Sequence, residues 1–356
     1  MFSKSERFAM KRAIELALQG GKKVFPNPNV GAVILNSSGK VISEGYHSVY
    51  GGAHAEVNAL KDAGDVNGCT MVVTLEPCCH FGKTPPCVDA IINSGINRVV
   101  VGLEDPNPVV AGNGIRYLRS KGIDVEIGLL QDKIKNLNDI YLHNLSSQRS
   151  FLHLKMATTL DGRVAAKDGS SRWITCEESR TRVHEFRHRA HAVLIGRGTA
   201  ITDDPELTVR AVECRDEEQP VRIVLANKEL PSTLKLFNST GRTIIATSSE
   251  RSFPEGIEVW RNIETLPELL KQTHVEGFGE ILCEGGRTLA TSLLKEQLVD
   301  SLSIFTAPAL LGNTGLPLMG DLGISGIDNI LRMRNTVVTR IGDDILTEGQ
   351  VVYRSN

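Results

Sequence analysis

The sequence has no run of apolar residues that approaches the length of a membrane-spanning helix. The N-terminal segment carries charges from Glu6 to Glu15 and has no apolar core of a secretory signal peptide. Internal repeats and low-complexity tracts are also missing. These absences argue against membrane and repeat proteins, so we expect a cytoplasmic protein without a membrane partner.

The sequence also lacks an excess of positive charge. Lysine and arginine total 40 and aspartate and glutamate total 42, for a net charge of −2. Proteins that wrap nucleic acid are usually more basic. We therefore expect a small-molecule partner and no nucleic acid.

A disulfide framework is not expected either. The chain has seven cysteines, an odd number, in 356 residues. The tight cluster from Cys78 to Cys87 is more typical of metal ligation in a reducing compartment.

The hydrophobic pattern predicts two α/β domains, residues 1–146 and 147–356, with the polar segment 146–150 as the linker. In the first half, helical spacing covers 5–20, 54–63, 87–94 and 111–121, and strand-like runs cover 30–36, 71–75, 98–103 and 124–129. In the second half, strands are predicted near 152–157, 192–196, 221–225, 243–247, 280–284 and 301–306. An alternating, hairpin-like tail, Thr336–Arg354, closes the chain.

The strongest chemical signal is the set His54, Cys78 and Cys87, with Glu56 beside the histidine. An imidazole and two thiolates bind zinc well, and three protein ligands leave a fourth position for water. Glu56 is not needed as a ligand, so its natural role is to carry protons to and from that water. Because residues i and i+2 do not share a helix face, His54 and Glu56 can converge only at a helix start.

Two other interpretations use the same residues. A structural zinc site would want four closed ligands, and Cys79 or His80 could supply the fourth, as in a non-enzymatic zinc-stabilised interaction protein. A deaminase of tRNA or single-stranded DNA would have identical catalytic residues, although the near-neutral charge argues against it.

These motifs resemble the cytidine deaminase superfamily, and more closely the deaminase family of riboflavin biosynthesis. The resemblance rests on the strings 76–87 (EPCCHFGKTPPC), 27–33 (NPNVGAV) and 105–108 (DPNP), and covers nearly all of the N-terminal half. Eight residues separate Cys78 from Cys87, where the wider superfamily commonly has two. The family commonly has serine at the position of Cys79, so the resemblance assigns Cys78 as the ligand. It also implies substrate contacts at Asn27, His47, His80 and Lys83.

Three places stand out in the second half, which has no Gly-x-Gly-x-x-Gly fingerprint. Lys155 lies inside an apolar strand and needs a partner or a ligand unless it snorkels at an edge. The segment 196–205 follows a strand, where open α/β sheets place ligand loops, but it could be a plain turn. Glu284-Gly285-Gly286 precedes a helix whose backbone amides could hold a phosphate.

Together with Trp173-Ile-Thr and the segment 198–210, these places resemble the reductase domain of the same pathway, which is similar in fold to dihydrofolate reductase and uses NADPH. The resemblance implies cofactor contacts in a set comprising Trp173, Thr199, Asp203, Gly286, Arg287 and Thr288, within a run that extends to Ser292. It implies substrate contacts at Ser171, Arg187, Leu207, Arg210 and Glu284, to which the residue pattern adds Lys155. Where the family commonly has an aspartate, this chain has Ala226.

The resemblance implies a bifunctional enzyme with one zinc ion per chain and NADPH. Its first domain would deaminate 2,5-diamino-6-ribosylamino-4(3H)-pyrimidinone 5′-phosphate. Its second would reduce the ribosyl group of the product to ribityl. A homo-oligomer, dimer or tetramer, is also expected.

Overall fold

The computed structural model describes residues 1–108, 110–238 and 240–353. The chain divides into two units, Met1–Ser147 and Gln148–Asn356. Each unit contains a sheet covered by helices, so the predicted mixed α/β class is confirmed. No helix in these ranges is long and apolar enough to cross a membrane.

Within the described residues, the first unit has a five-stranded sheet in the order β2-β1-β3-β4-β5. Strands β3, β4 and β5 run parallel, and β1 pairs antiparallel with β2 and β3. The strands are β1 Gly31–Leu35, β2 Val41–Tyr46, β3 Thr70–Leu75, β4 Arg98–Leu103 and β5 Asp124–Ile127. The helices are α1 Lys4–Leu18, α2 Ala55–Lys61, α3 Cys87–Asn93, α4 Asn113–Ser120, α5 Gln131–Leu137 and α6 Asp139–Ser147.

Local sequence explains how this unit starts. Ser3 caps α1 by accepting a hydrogen bond from the Glu6 backbone N–H at 3.1 Å, and the Glu6 carboxylate accepts one from the Ser3 N–H at 2.7 Å. The valine-rich strands β3 and β4 are buried on both faces, as parallel strands between helices are. Because these strands are parallel, their carboxyl ends meet at one edge of the sheet. The loops that follow them hold candidate site residues, among them Cys78 after β3.

In the part of the chain that the structure describes, the second unit has a nine-stranded sheet in the order β11-β10-β9-β8-β12-β6-β13-β16-β15. The strands are β6 Phe151–Thr159, β7 Arg163–Ala165, β8 Ala192–Gly196, β9 Val221–Leu225, β10 Thr243–Ala246, β11 Glu258–Trp260, β12 Glu280–Cys283, β13 Ser301–Ala307, β14 Leu316–Pro317, β15 Arg332–Ile341 and β16 Asp344–Val352. The helices are α7 Glu177–Arg189, α8 Arg197–Asp203, α9 Lys235–Asn238, α10 Leu266–Val275 and α11 Arg287–Lys295. Seven parallel strands, β11 to β13 in the sheet order, align their carboxyl ends, while β16 and β15 form the antiparallel edge.

The structure differs from the predicted elements in a few places. Strand β2 was not predicted, because its sequence VISEGY is half-exposed and does not alternate cleanly. Helix α5 was not predicted, and α6 extends two residues into the segment 146–150 that was expected as the linker. The predicted tail is the hairpin β15-β16; its last residue, Arg354, lies outside the described residues.

Candidate metal centre and reductase cleft

His54 and Glu56 lie at the start of α2, as their spacing predicts. His54 is the N-cap residue with extended dihedrals (φ −74°, ψ 165°), and Ala55 is the first helical residue. Because the chain changes conformation between them, the two side chains approach the same space although they are only two residues apart. Glu56 is buried, with 3% of its surface exposed.

The two cysteines reach His54 from the next strand and the next helix. Cys78 follows β3, and Cys87 is the buried first residue of α3, after Pro86 at the N-cap. His54 Nδ1 lies 3.2 Å from Cys87 Sγ and 3.4 Å from Cys78 Sγ. The Cys87 backbone N–H also donates to Cys78 Sγ at 3.4 Å. The three ligand atoms all lie within 4.8 Å of one another.

This donor set fits zinc. A tetrahedral ion with Zn–S and Zn–N bonds of about 2.3 and 2.0 Å separates its sulfur and nitrogen ligands by about 3.5 Å, close to the two His54–cysteine distances. The pKa of Cys78 is lowered to about 4, first by a hydrogen bond from Cys87 and then by His54, against the opposing effect of burial. Cys78 therefore forms a thiolate readily, and thiolates are the form that binds metal.

Glu56 is a carboxyl group poised to exchange a proton. Burial raises its pKa to about 7, and the negative charge of Cys78 raises it in the same direction. A carboxyl group tuned near neutral pH can both accept and donate a proton.

Asn27 and His47 form a connected pair beside the cysteine–histidine group. His47 Nδ1 lies 3.0 Å from the Ala53 carbonyl oxygen, to which it can only donate. His47 Nε2, 3.1 Å from Asn27 Nδ2, must then accept from that amide. Burial lowers the pKa of His47, which agrees with a neutral ring in this tautomer. The His47 and His54 rings meet edge to face, with centroids 5.2 Å apart.

The other two predicted substrate contacts lie in the loop between the cysteines. His80 and Lys83 are both exposed. Lys83 Nζ is held 4.0 Å from the centre of the Tyr50 ring. Thr84, which the sequence analysis did not single out, places its hydroxyl 3.4 Å from His54 Nε2.

The sequence analysis also missed the part that Glu76 plays. This buried carboxylate accepts hydrogen bonds from the backbone N–H groups of Gly112 at 2.9 Å, Ile115 at 3.1 Å and Asp105 at 3.3 Å. Glu76 thus ties the segment leading to Cys78 to the start of α4. The available signal was a glutamate placed at a strand end, two residues before the candidate ligand Cys78.

In the second unit, a cleft of about 1760 Å³ opens at the carboxyl ends of β6, β8, β9 and β12. The reductase residues that the sequence analysis named one by one all line it: Lys155, Ser171, Trp173, Arg187, Thr199, Asp203, Leu207, Arg210, Glu284, Gly286, Arg287, Thr288 and, at the end of the predicted run, Ser292; Ala290 and Thr291 of that run do not. The structure therefore brings together thirteen predicted residues that are spread from Lys155 to Ser292 in the sequence.

A charged group surrounds Lys155 at the floor of this cleft. Arg187 pairs with Glu284 through two hydrogen bonds of 2.6 and 3.0 Å, and also donates to the Thr208 carbonyl at 3.1 Å. Burial lowers the pKa of Lys155, while the negative charge of Glu284 opposes that shift. Burial alone would raise the pKa of Glu284, but Arg187 lowers it overall. Lys155 is thus a cation that can give up its proton more readily than an exposed lysine.

Two contacts organise the rest of the cleft. The Gly286 backbone N–H donates to Thr199 Oγ1 at 3.0 Å, which joins the loop after β12 to α8. Trp173 is 70% exposed, and the guanidinium carbons of Arg180 and Arg172 lie 4.7 and 5.7 Å from its ring centre. An exposed flat ring beside a lysine-floored cleft is a surface on which a planar ligand can stack.

Comparisons with known proteins match both units. Residues 3–103 match a family described as the cytidine and deoxycytidylate deaminase zinc-binding region, and residues 150–347 match the RibD C-terminal domain. The chain is 42% identical over 358 residues to the riboflavin biosynthesis protein RibD of Aquifex aeolicus, covering 97% of this chain and 98% of that protein. It is 36% identical to the RibD of Escherichia coli, with 96% and 98% covered. It also resembles, with a TM-score of 0.88 and 37% identity, a crystal structure of a diaminohydroxyphosphoribosylaminopyrimidine deaminase/5-amino-6-(5-phosphoribosylamino)uracil reductase from Thermotoga maritima, covering 98% of this chain and 99% of that chain.

Proposed function

Because this chain belongs to the RibD family of riboflavin biosynthesis proteins, and is a deaminase and a reductase, we propose that its two units divide consecutive reactions between them. Residues 1–146 deaminate 2,5-diamino-6-ribosylamino-4(3H)-pyrimidinone 5′-phosphate. Residues 147–356 then reduce the ribosyl group of the product to ribityl. The observation that carries this proposal is the pairing of a His-Cys-Cys donor set and a buried glutamate in one unit with a cation-lined cleft in the other.

In the deaminase unit, His54, Cys78 and Cys87 hold one zinc ion. Zinc, when bound, acidifies a coordinated water and so supplies a nucleophile at neutral pH. Glu56 takes the proton from the attacking water and delivers it to the amino group that leaves as ammonia. Its pKa of about 7, raised by burial, suits both transfers.

The neighbouring residues bind and orient the substrate. Two hydrogen bonds fix the tautomer of the His47 ring. The donors and acceptors of Asn27 and His47 are therefore set before the pyrimidine binds. His80 and Lys83 extend from the loop between the cysteines, where the Lys83 ammonium can meet the 5′-phosphate.

In the reductase unit, NADPH supplies the hydride. Reduction of ribosyl to ribityl adds that hydride to the anomeric carbon and requires a proton on the ring oxygen that leaves this carbon. We assign Lys155 as the side chain that holds the proton, because it is partly buried at the floor and its pKa is lowered. Glu284 and Arg187 orient Lys155 and the substrate, together with Ser171, Leu207 and Arg210. Trp173, Thr199, Asp203 and the segment 286–288 hold the cofactor.

Two further properties belong to this proposal. Thiol ligands need a reducing compartment, and no disulfide joins any of the described cysteines, which supports a cytoplasmic location. We also propose a homo-oligomer, because β15 is an edge strand that exposes Val337 and Val338 by 57% and 65%.

Removal of zinc separates the two activities. The full-length chain stripped of metal by a chelator should lose ammonia release from the diamino substrate and recover it when zinc is restored. NADPH oxidation with the deaminated substrate should stay unchanged, since the described cleft residues lie in the second unit. Loss of both activities together, with the fold intact by circular dichroism, would contradict the division of labour.

A further inference from the structure

The second unit contains a group of metal-binding side chains that the proposed reactions do not use. His188, Cys214 and Glu218 each place one ligand atom within 4.8 Å of the ligand atoms of the other two. Among the described residues only one other group of three such side chains is this close, the candidate zinc ligands of the first unit. An imidazole, a thiol and a carboxylate are all ligands that zinc accepts, so this group is a candidate for a second metal site.

The three residues come from two segments of the chain. His188 lies in the last turn of α7, which leads into β8, whereas Cys214 and Glu218 belong to the segment that leads into β9. The short 3₁₀ helix Asp216–Glu218 brings Glu218 back to the side of Cys214. Because β8 and β9 are neighbouring parallel strands, the group lies toward their amino ends. None of the three residues lines the cleft at the carboxyl ends.

Hydrogen bonds fix the base of the loop that carries Cys214 and Glu218. Gln219 Oε1 accepts from the Val209 N–H at 2.7 Å, and Gln219 Nε2 donates to the Val209 carbonyl oxygen at 3.0 Å. Two ends of the loop are therefore joined before an ion arrives. A loop that is already closed loses less conformational entropy when it binds a ligand.

The charges around the group favour a cation. Four of the six residues 213–218 are acidic. His188 lies at the carboxyl end of α7, where the helix dipole has its negative end. Arg187 and Arg189, on either side of His188 in the chain, each form an ion pair with a glutamate elsewhere in the second unit, which offsets their positive charges.

Arg215 limits how tightly the group can hold an ion. Its Nε–H donates to Glu218 Oε1 at 3.0 Å, and its Nη1 lies 3.2 Å from Glu217 Oε1. An ion at this place therefore shares the Glu218 carboxylate with an arginine. The three candidate ligands are also only half-buried, so water reaches them. We therefore expect an ion that dialysis removes, unlike the ion held in the first unit.

We propose that His188, Cys214 and Glu218 form a second, exchangeable zinc site that joins the end of α7 to the loop before β9. The ligand atoms around a tetrahedral zinc ion lie about 3.3–3.8 Å apart, so each of the three atoms moves by no more than about 1 Å to enclose one. The thiolate favours zinc over Mg²⁺ and Ca²⁺, which prefer oxygen ligands. Because the site exists only in the folded chain, zinc bound there stabilises the second unit.

The test is a titration with Co²⁺ of the full-length protein, which is first loaded with zinc and then dialysed against metal-free buffer. Cobalt bound to a thiolate gains a sulfur-to-metal charge-transfer absorption, so the spectrum reports ligation by Cys214 directly. The wild type should develop this absorption with a single cobalt ion per chain, and added Zn²⁺ should remove it.

Variants of the ligands and of a neighbour locate the site. Cys214→Ser should abolish the absorption, and Glu218→Gln should weaken cobalt binding by at least about 10-fold. Glu217→Gln makes the same change one residue away, at an exposed carboxylate outside the group, and should bind cobalt within about twofold of the wild type. A thermal melt of each variant verifies the fold. Added Zn²⁺ should raise the melting temperature of the wild type and leave that of Cys214→Ser unchanged.

Two results would overturn the assignment. A wild type that gains no charge-transfer absorption with cobalt has no second thiolate site, and an absorption that survives Cys214→Ser comes from cobalt bound elsewhere. Neither result changes the proposed deaminase and reductase activities, which depend on other residues.

Discussion

Glu56→Gln is expected to reduce ammonia release by about 10²–10⁴-fold, the range typical of a positioned acid–base group. Glutamine has nearly the same shape but cannot accept the proton of the attacking water. The donor atoms of His54, Cys78 and Cys87 are untouched, so the variant should still bind one zinc ion per chain, measured by elemental analysis.

The reductase activity of the same variant serves as an internal control. NADPH oxidation by Glu56→Gln with the deaminated substrate should equal that of the wild type. Glu15→Gln, which changes an exposed glutamate on α1, is the matched control and should deaminate normally. Near-normal ammonia release by Glu56→Gln would remove Glu56 from the mechanism.

Cys78→Ser is expected to lose most of the zinc and, with it, deamination. A serine hydroxyl stays protonated and is a poor ligand beside imidazole and thiolate. Cys78 Sγ also accepts a hydrogen bond from the Cys87 backbone N–H and lies next to His54 Nδ1. The change therefore removes the sulfur atom that both of these groups contact.

Cys79→Ser is the matched control, because it makes the same chemical change one residue away. Cys79 packs against the hydrophobic core of the first unit, and burial raises the pKa of its thiol, whereas the pKa of Cys78 is lowered overall. This variant should retain zinc and activity. If Cys79→Ser stripped the metal and Cys78→Ser did not, the ligand assignment would be wrong.

Much of the fold could be predicted because its strands are buried in parallel sheets. Continuous apolar runs predicted β4, β8 and β9 with the bounds observed. The unpredicted strands β2, β7, β11 and β14 are short or half-exposed, and their positions depend on neighbours that the sequence does not show.

The metal centre was predictable for a different reason. The two-residue spacing of His54 and Glu56 requires a helix start, and the prolines before Cys87 indicate another, so local rules placed these candidate residues. The interactions of Glu76 could not be predicted in the same way. Glu76 binds backbone groups 29 to 39 positions later in the chain.

The most direct test of the central claim is the reaction stoichiometry when the zinc-loaded, full-length chain acts on 2,5-diamino-6-ribosylamino-4(3H)-pyrimidinone 5′-phosphate. We expect one ammonia and one oxidised NADPH per molecule of substrate, with ammonia appearing first and ribityl product accumulating. NADPH oxidation without ammonia, or deamination of tRNA in preference to this nucleotide, would contradict the account.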